Sequence, residues 1–347
     1  MPLPLEAHPS PTVNMQRIDV HTHCVPPAYR AICRRNSFAG RGHPDGMPAI
    51  PPWDPESHLA LMKDLGITRS ILSMSSPGTH LFPGDDEQAR LVTRYMNDHM
   101  ADVCSQYSGK FSFFASLPLP DVEGSLAEID RALDELGAVG FQILTNSHGV
   151  YPGDLKFRRV FEKLSQKDAI VFLHPTSCHL RREIGPVEEI EPLAGVPNPM
   201  LEFMFDSTRA LTSILTSEIR TKCPGIKFII AHCGATLPPV VARIAEFSHL
   251  ISNVDGPLTV EIIKDWLQTH CYADLAGVPF PDQIHGLLRH MDSSRLLYGT
   301  DYPYTPDPLA KSLAARLDEN LEREFGPETL QQALVTNAQT LFSGRWN

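Results

Sequence analysis

Near the N-terminus, the apolar stretch Ile18-Asp19-Val20 ends in His21-Thr22-His23. Residues two apart on a strand share a face, so His21 and His23 present two imidazoles side by side, which is half of a metal site. In a chain with 15 histidines such a pair also arises by chance. Three more apolar runs nevertheless end the same way, residues 169–174 in His174, 226–232 in His232 and 295–301 in Asp301. Imidazoles with a carboxylate suit Zn²⁺, with Mn²⁺ or Fe²⁺ as alternatives, and leave a position for water or a substrate oxygen. The five side chains His21, His23, His174, His232 and Asp301 exceed what one four-ligand site needs, which leaves one for catalysis.

These residues converge only if their runs are neighbouring strands. Eight apolar runs, centred on Ile18, Ile71, Phe113, Phe141, Val171, Ile229, Tyr272 and Leu297, alternate with segments of helical periodicity such as 56–65, 86–107, 125–136, 156–166, 207–223 and 237–251. Alternating strands and helices imply a parallel sheet, and eight units imply closure into a (β/α)₈ TIM barrel. The punctuation agrees: Asp54-Pro55-Glu56 reads as an N-cap with proline in the first turn, and Gly66, Gly109 and Gly137 stand where helices end. Two Pro-containing excursions, 36–53 after the first strand and 176–199 after the fifth, are expected as insertion loops on the strand C-terminal face, where barrel active sites are built.

The chain has 347 residues, 42% of them hydrophobic and 20% charged, enough for one large core. We expect residues 1–16 to form a flexible arm and 17–347 a single barrel domain. A net charge of −11 without a dense Lys/Arg run argues against a nucleic-acid or anionic-membrane partner. The first sixteen residues lack the basic start and continuous apolar stretch expected of a signal peptide, and no segment approaches the apolar length expected of a membrane span. The seven cysteines (24, 33, 104, 178, 223, 233 and 271) form no C-x-x-C, which fits a reducing, cytoplasmic location.

The run D-V-H-T-H at 19–23 joins W-D-P-E at 53–56, F-L-H-P at 172–175, A-H-C-G-A-T-L-P at 231–238 and Y-G-T-D-Y-P at 298–303. Together these resemble the amidohydrolase superfamily, in its branch of metal-dependent, non-oxidative decarboxylases acting on aminocarboxymuconate semialdehyde, γ-resorcylate or isoorotate. The resemblance runs from Arg17 to Phe342. It implies the barrel, one divalent metal held by His21, His23, His174 and Asp301, and His232 as the catalytic histidine. Two-metal members carry a lysine at the end of strand four, and the run 141–146 has none. The resemblance also implies a homodimer in which Arg243 reaches the neighbouring subunit's site to bind substrate.

The stretches H-P-D-G-M-P-A-I-P at 43–51 and S-P-G-T-H-L at 76–81 are most similar to fungal enzymes of this branch acting on 6-methylsalicylate. The muconate branch has an arginine shortly before Trp-Asp-Pro, where this chain reads 47–52 without one, and the isoorotate branch has an asparagine where Ser76 stands here. The implied reaction is decarboxylation of a small aromatic acid, 6-methylsalicylate to m-cresol, by chelation of the ortho hydroxyl and carboxylate to one metal. Asp301 would protonate the carboxyl-bearing carbon, with His232 orienting it or activating water. Ser76 and Trp53 are further candidates for substrate contact, and Phe205, Phe280 and Tyr304 for an apolar wall around the methyl group.

Plainer roles stand beside these. Trp53 equally serves as an anchor for its loop, and Cys233 reads as a packed residue rather than a reactive thiol. Glu202 and Asp206 read as capping or subunit-contact residues, and His148, His179, His249, His270, His285 and His290 as surface or core histidines. The ligand set alone also permits hydrolysis of a lactone or amide, or a metal-binding scaffold; only the resemblance favours decarboxylation.

Overall fold

In the computed structural model the described residues are 15–35, 44–180, 188–251 and 254–346. The expected N-terminal arm lies outside them apart from Met15 and Gln16, as do residues 36–43 and 181–187 of the two insertion loops.

Eight parallel strands follow one another in chain order around the sheet: β1 (Arg17–His23), β2 (Ile67–Ser73), β3 (Phe111–Ser116), β4 (Gly140–Leu144), β5 (Ile170–His174), β6 (Lys227–Ile230), β7 (Cys271–Asp274) and β8 (Leu296–Leu297). Each strand is buried along nearly its whole length, as the unbroken apolar runs require when both faces of a parallel sheet are covered. The seam between β8 and β1 is joined by Val20 N–H to Tyr298 O at 3.0 Å, Asp301 N–H to His21 O at 2.8 Å and a parallel bridge between Thr22 and Tyr302. The barrel is thereby closed and the N-terminal histidine pair is set beside the loop after β8.

Helices cover the outside. Asp54 caps the helix Pro55–Leu65 by accepting the Ser57 N–H at 2.7 Å, and Gly66 ends it with φ 68°, a left-handed conformation that glycine adopts without strain. The segment expected as one helix over 207–223 is two, Glu202–Thr216 and Ile219–Lys222. At the base of the barrel Arg17, fully buried, donates to Leu65 O at 2.7 Å and pairs with Asp318 on the C-terminal helix. The second insertion carries a two-stranded antiparallel pair, His179–Leu180 with Glu188–Glu189. All seven cysteines are unpaired, and among the described residues no helix is long and apolar enough to cross a membrane.

Inside the barrel, side chains stack in layers. Phe114 and Phe172 pack at 5.5 Å between ring centroids, and the Phe172 ring supports His21 from below at 4.9 Å. The imidazoles therefore stand on an apolar floor.

Candidate active site

His21, His23, His174 and Asp301 converge at the strand C-terminal face, with one candidate ligand atom from each lying within 4.8 Å of the others. His21 and His23 project from β1 on the same side, their rings 5.1 Å apart, and His174 ends β5 at 4.7 Å from the His23 ring. Asp301 arrives from the loop after β8. Its position is set by Asp19, whose carboxylate accepts the Thr300 N–H at 3.1 Å and hydroxyl at 2.6 Å and the His21 N–H at 3.1 Å.

The imidazoles are oriented from behind. His21 Nδ1 lies 3.0 Å from Asp274 Oδ2 and His23 Nδ1 3.0 Å from Met74 O, so the Nε2 atoms of both turn toward Asp301, at 3.5 and 3.1 Å. A carboxylate or carbonyl behind an imidazole fixes its tautomer and strengthens the opposite nitrogen as a ligand. His174 Nδ1 is buried and makes no hydrogen bond among the described residues, and the buried His21 Nε2 faces only the Asp301 carboxylate, at 3.5 Å. Buried polar atoms are ordinarily satisfied, so these two nitrogens beside a carboxylate fit a bound cation.

The electrostatics agree. Burial opposes charge on His21, yet Asp274 and Asp301 outweigh it and push the imidazole up to about 10. Burial likewise opposes the Asp301 carboxylate, but hydrogen bonds and charge from His21 and His23 hold it well below the usual range. The Asp274 and Asp301 carboxylates thus favour positive charge at His21.

His232 stands next to this group, its ring 4.8 Å from that of His21. Its N–H donates to Asp274 Oδ1 at 3.0 Å, its carbonyl accepts from Gln283 at 2.7 Å, and its Nδ1 faces Ala276 O at 3.4 Å. Burial and the neighbouring His21 hold its imidazole below the ordinary value. His232, Cys233, Ala235 and Asp301 all adopt positive φ, between 54° and 59°. Non-glycine residues in that region are strained, and strain held by surrounding hydrogen bonds clusters at functional sites.

The other sequence candidates divide. The Tyr304 ring packs on His23 at 5.4 Å, at the cluster. Ser76 is buried nearby, its hydroxyl 2.9 Å from Asp45 and 2.6 Å from the Thr176 hydroxyl. Trp53 is not brought to the cluster; its indole N–H donates to His58 at 3.2 Å and its ring lies against His58 and His99, anchoring the loop before the helix Pro55–Leu65. Phe280 packs instead on His285 and Phe325, and Phe205 is 39% exposed. Arg243 is exposed, its guanidinium stacked over Phe247 of the same helix. Cys233 is fully buried. Asp206 is neither a cap nor a surface residue: it is fully buried, accepts from Asn146 at 2.8 Å and the Tyr151 hydroxyl at 2.6 Å, and bonds Thr145, tying the loop after β4 to the helix Glu202–Thr216.

Two carboxylates escaped the sequence reading. Asp274 ends β7 as Asp301 and the histidines end theirs, and the same strand-end pattern marks it. Asp45, in a loop turn, carries no such mark.

A family model described as Amidohydrolase matches residues 18–344. The chain belongs to this family. A relative of this amidohydrolase named 6-methylsalicylic acid decarboxylase, from Penicillium expansum, is 32% identical over 295 residues, 84% of this chain and 86% of that one. A solved structure described as an amidohydrolase II is 33% identical with TM-score 0.80, covering 94% of this chain and 99% of its own. A 5-carboxyvanillate decarboxylase from Novosphingobium aromaticivorans, solved with manganese, shares the fold at 22% identity with TM-score 0.80, covering 95% of this chain and 97% of its own.

Proposed function

We propose that this protein is a metal-dependent, non-oxidative decarboxylase of ortho-hydroxybenzoates, converting 6-methylsalicylate to m-cresol and CO₂. The observation that carries the reading is the convergence of His21, His23, His174 and Asp301, with His174 Nδ1 buried and unpartnered among the described residues and His232 alongside. The activity named for the Penicillium expansum relative supports the choice of chemistry.

The four side chains would hold one divalent cation, Zn²⁺ by the ligand set or Mn²⁺ by the neighbour solved with it. When bound, the cation would supply positive charge that attracts and orients an anionic ortho-hydroxy acid. The rest is the work of the chain. Asp301 starts as a carboxylate, so it must first take a proton, and the substrate's ortho hydroxyl offers one. Asp301 then delivers that proton to the ring carbon bearing the carboxylate. The electrons of the bond to the carboxyl group return to the ring, CO₂ departs, and the phenolate product regains a proton from solvent. His232, with Nδ1 directed at Ala276 O, keeps Nε2 free to hold Asp301 or a water in place. Tyr304 packs one wall of the site. Arg243, exposed and stacked on Phe247, reaches a neighbouring subunit's substrate in a homodimer.

The test is to incubate metal-analysed protein with 6-methylsalicylate and with γ-resorcylate, with and without chelator, following substrate absorbance and CO₂. Metal-dependent formation of m-cresol is the expected result. Neither acid yielding CO₂ from protein with metal bound would turn the reading toward a lactone or amide hydrolase.

A further inference from the structure

Beside the cluster lies a cavity of about 400 Å³ that the reaction as described does not use. Two of its lining residues, Ser116 and Gln142, belong to a row across three adjacent strands. Ser116 on β3 is the register partner of Gln142 on β4, and Gln142 is the partner of Phe172 on β5. Residues in register share a face, so this row points into the barrel with Phe172, whose ring supports His21. One layer higher, Leu144, also on the cavity wall, is the register partner of His174. A strand on the cavity wall thus lies next to the strand that carries His174.

Two polar groups in that row lack partners. Gln142 Nε2 and Ser116 Oγ are buried without a hydrogen bond among the described residues, and both residues are only 3% exposed. Ser116 is held in place: its N–H donates to Asn97 Oδ1 at 2.8 Å and its carbonyl accepts from Asn97 Nδ2 at 3.0 Å. Buried donors left unpaired in a rigid wall are costly unless something in the cavity accepts from them. The remaining lining includes the apolar Leu117, Leu119 and Leu144 and a succession of packed imidazoles, His80 on His148 and His148 on His179. His148 is driven down to about 4, by burial first and then by His80 and His179. No Arg or Lys occurs among the described lining residues, whereas Glu188 and Glu189 do. A second carboxylate on the ligand would be repelled here.

We propose that this cavity is a specificity pocket for an uncharged ring substituent, larger than methyl and bearing an oxygen that accepts from Gln142 Nε2 and Ser116 Oγ. The inference rests on the reading of the site as a hydroxybenzoate decarboxylase. A methyl group is comparable to one water molecule, whose share of liquid volume is about 30 Å³, and leaves most of the space unfilled. A three- to four-atom chain ending in a hydroxyl or carbonyl fills it and pairs the two donors.

The experiment compares 6-methylsalicylate with 2-hydroxy-6-(3-hydroxypropyl)benzoate on the metal-loaded enzyme, measuring CO₂ release and calorimetric Kd for each. The longer acid is expected to have the higher kcat/KM, and Gln142→Leu to lower the long-to-short ratio about tenfold, the size of one lost hydrogen bond, with Ser116→Ala moving it the same way. A wild-type ratio at or below one, or a ratio unmoved in both variants, overturns the assignment. Release of CO₂ from neither acid overturns the decarboxylase reading instead, and the ratio of Kd values, wild type against Gln142→Leu, then decides the pocket by the same criterion. Should Gln142→Leu fail to fold, the wild-type ratio and Ser116→Ala still decide.

Discussion

At the scale of single residues, Asp274 and Asp301 illustrate two uses of one functional group. Asp301 turns its carboxylate toward His21 and His23 Nε2, whereas Asp274 stands behind His21 on Nδ1. Replacing Asp274 by Asn leaves an amide that no longer fixes the His21 tautomer. Metal affinity should then fall about 10- to 100-fold, read by titration against a competing chelator, and an unchanged affinity would remove Asp274 from that role. Asp301→Asn removes the atom that carries the proton, so kcat should drop by roughly 10² to 10⁴ with the fold intact by circular dichroism. Full turnover in that variant would transfer the acid role elsewhere. The strand-end histidines and Asp301 were legible in the sequence because each closes an apolar run, and run and polar end are local patterns. Asp274 obeyed the same pattern but stood beyond the four ligands a site needs, and its service to His21 spans 253 residues of chain.

At the scale of elements, the eight strands were legible by their centres, since buried parallel strands read as continuous apolar runs. The loops were not, because their order comes from side chains far apart in sequence. Asp45, in the turn Pro44–Gly46, accepts from Ser76 Oγ at 2.9 Å and Ser177 Oγ at 2.6 Å, and so ties the loops after β1, β2 and β5 together. Burial, reinforced by the Glu189 charge, raises its carboxyl to about 7 despite the two serines. The folded protein therefore holds a proton on Asp45 that the unfolded chain releases near its ordinary value of 3.8. Between those limits the folded state binds more protons, so this group's contribution to stability is fully present below pH 4 and is lost as pH rises through 7. Asp45→Asn keeps the accepting oxygen and abolishes the titration. Its Tm relative to wild type should rise by roughly 2 °C or more between pH 5 and pH 8, measured by calorimetry in matched buffers. A difference that stays constant or falls over that interval would show that Asp45 is not the proton-binding group of these loops.

At the scale of the whole molecule, the acidic charge and the barrel followed from composition and periodicity, but a surface for a second copy has no periodic signature. The outer face carries exposed apolar side chains on neighbouring segments: Met200, Leu201 and Phe205 at the start of the helix Glu202–Thr216, and Phe247, Leu250 and Ile251 after Arg243. Ahead of the second segment, the Thr236 hydroxyl donates to Met204 O at 3.2 Å. Apolar residues gathered beside an exposed, stacked arginine are suited to an isologous interface, and the mass in solution should be about twice the 38.5 kDa of the chain. Mixing two defective variants tests whether Arg243 serves the partner's site. Arg243→Ala lacks the reaching side chain and Asp301→Asn lacks the acid, so each alone should be nearly inactive. If Arg243 acts across the interface, a mixed dimer holds one site with both Asp301 and the other subunit's Arg243 and one site with neither. With random exchange half the dimers are mixed, and half of their sites are intact, so activity should return to about one quarter of the wild-type value. If Arg243 acts within its own subunit, no site in any dimer has both groups and mixing restores nothing.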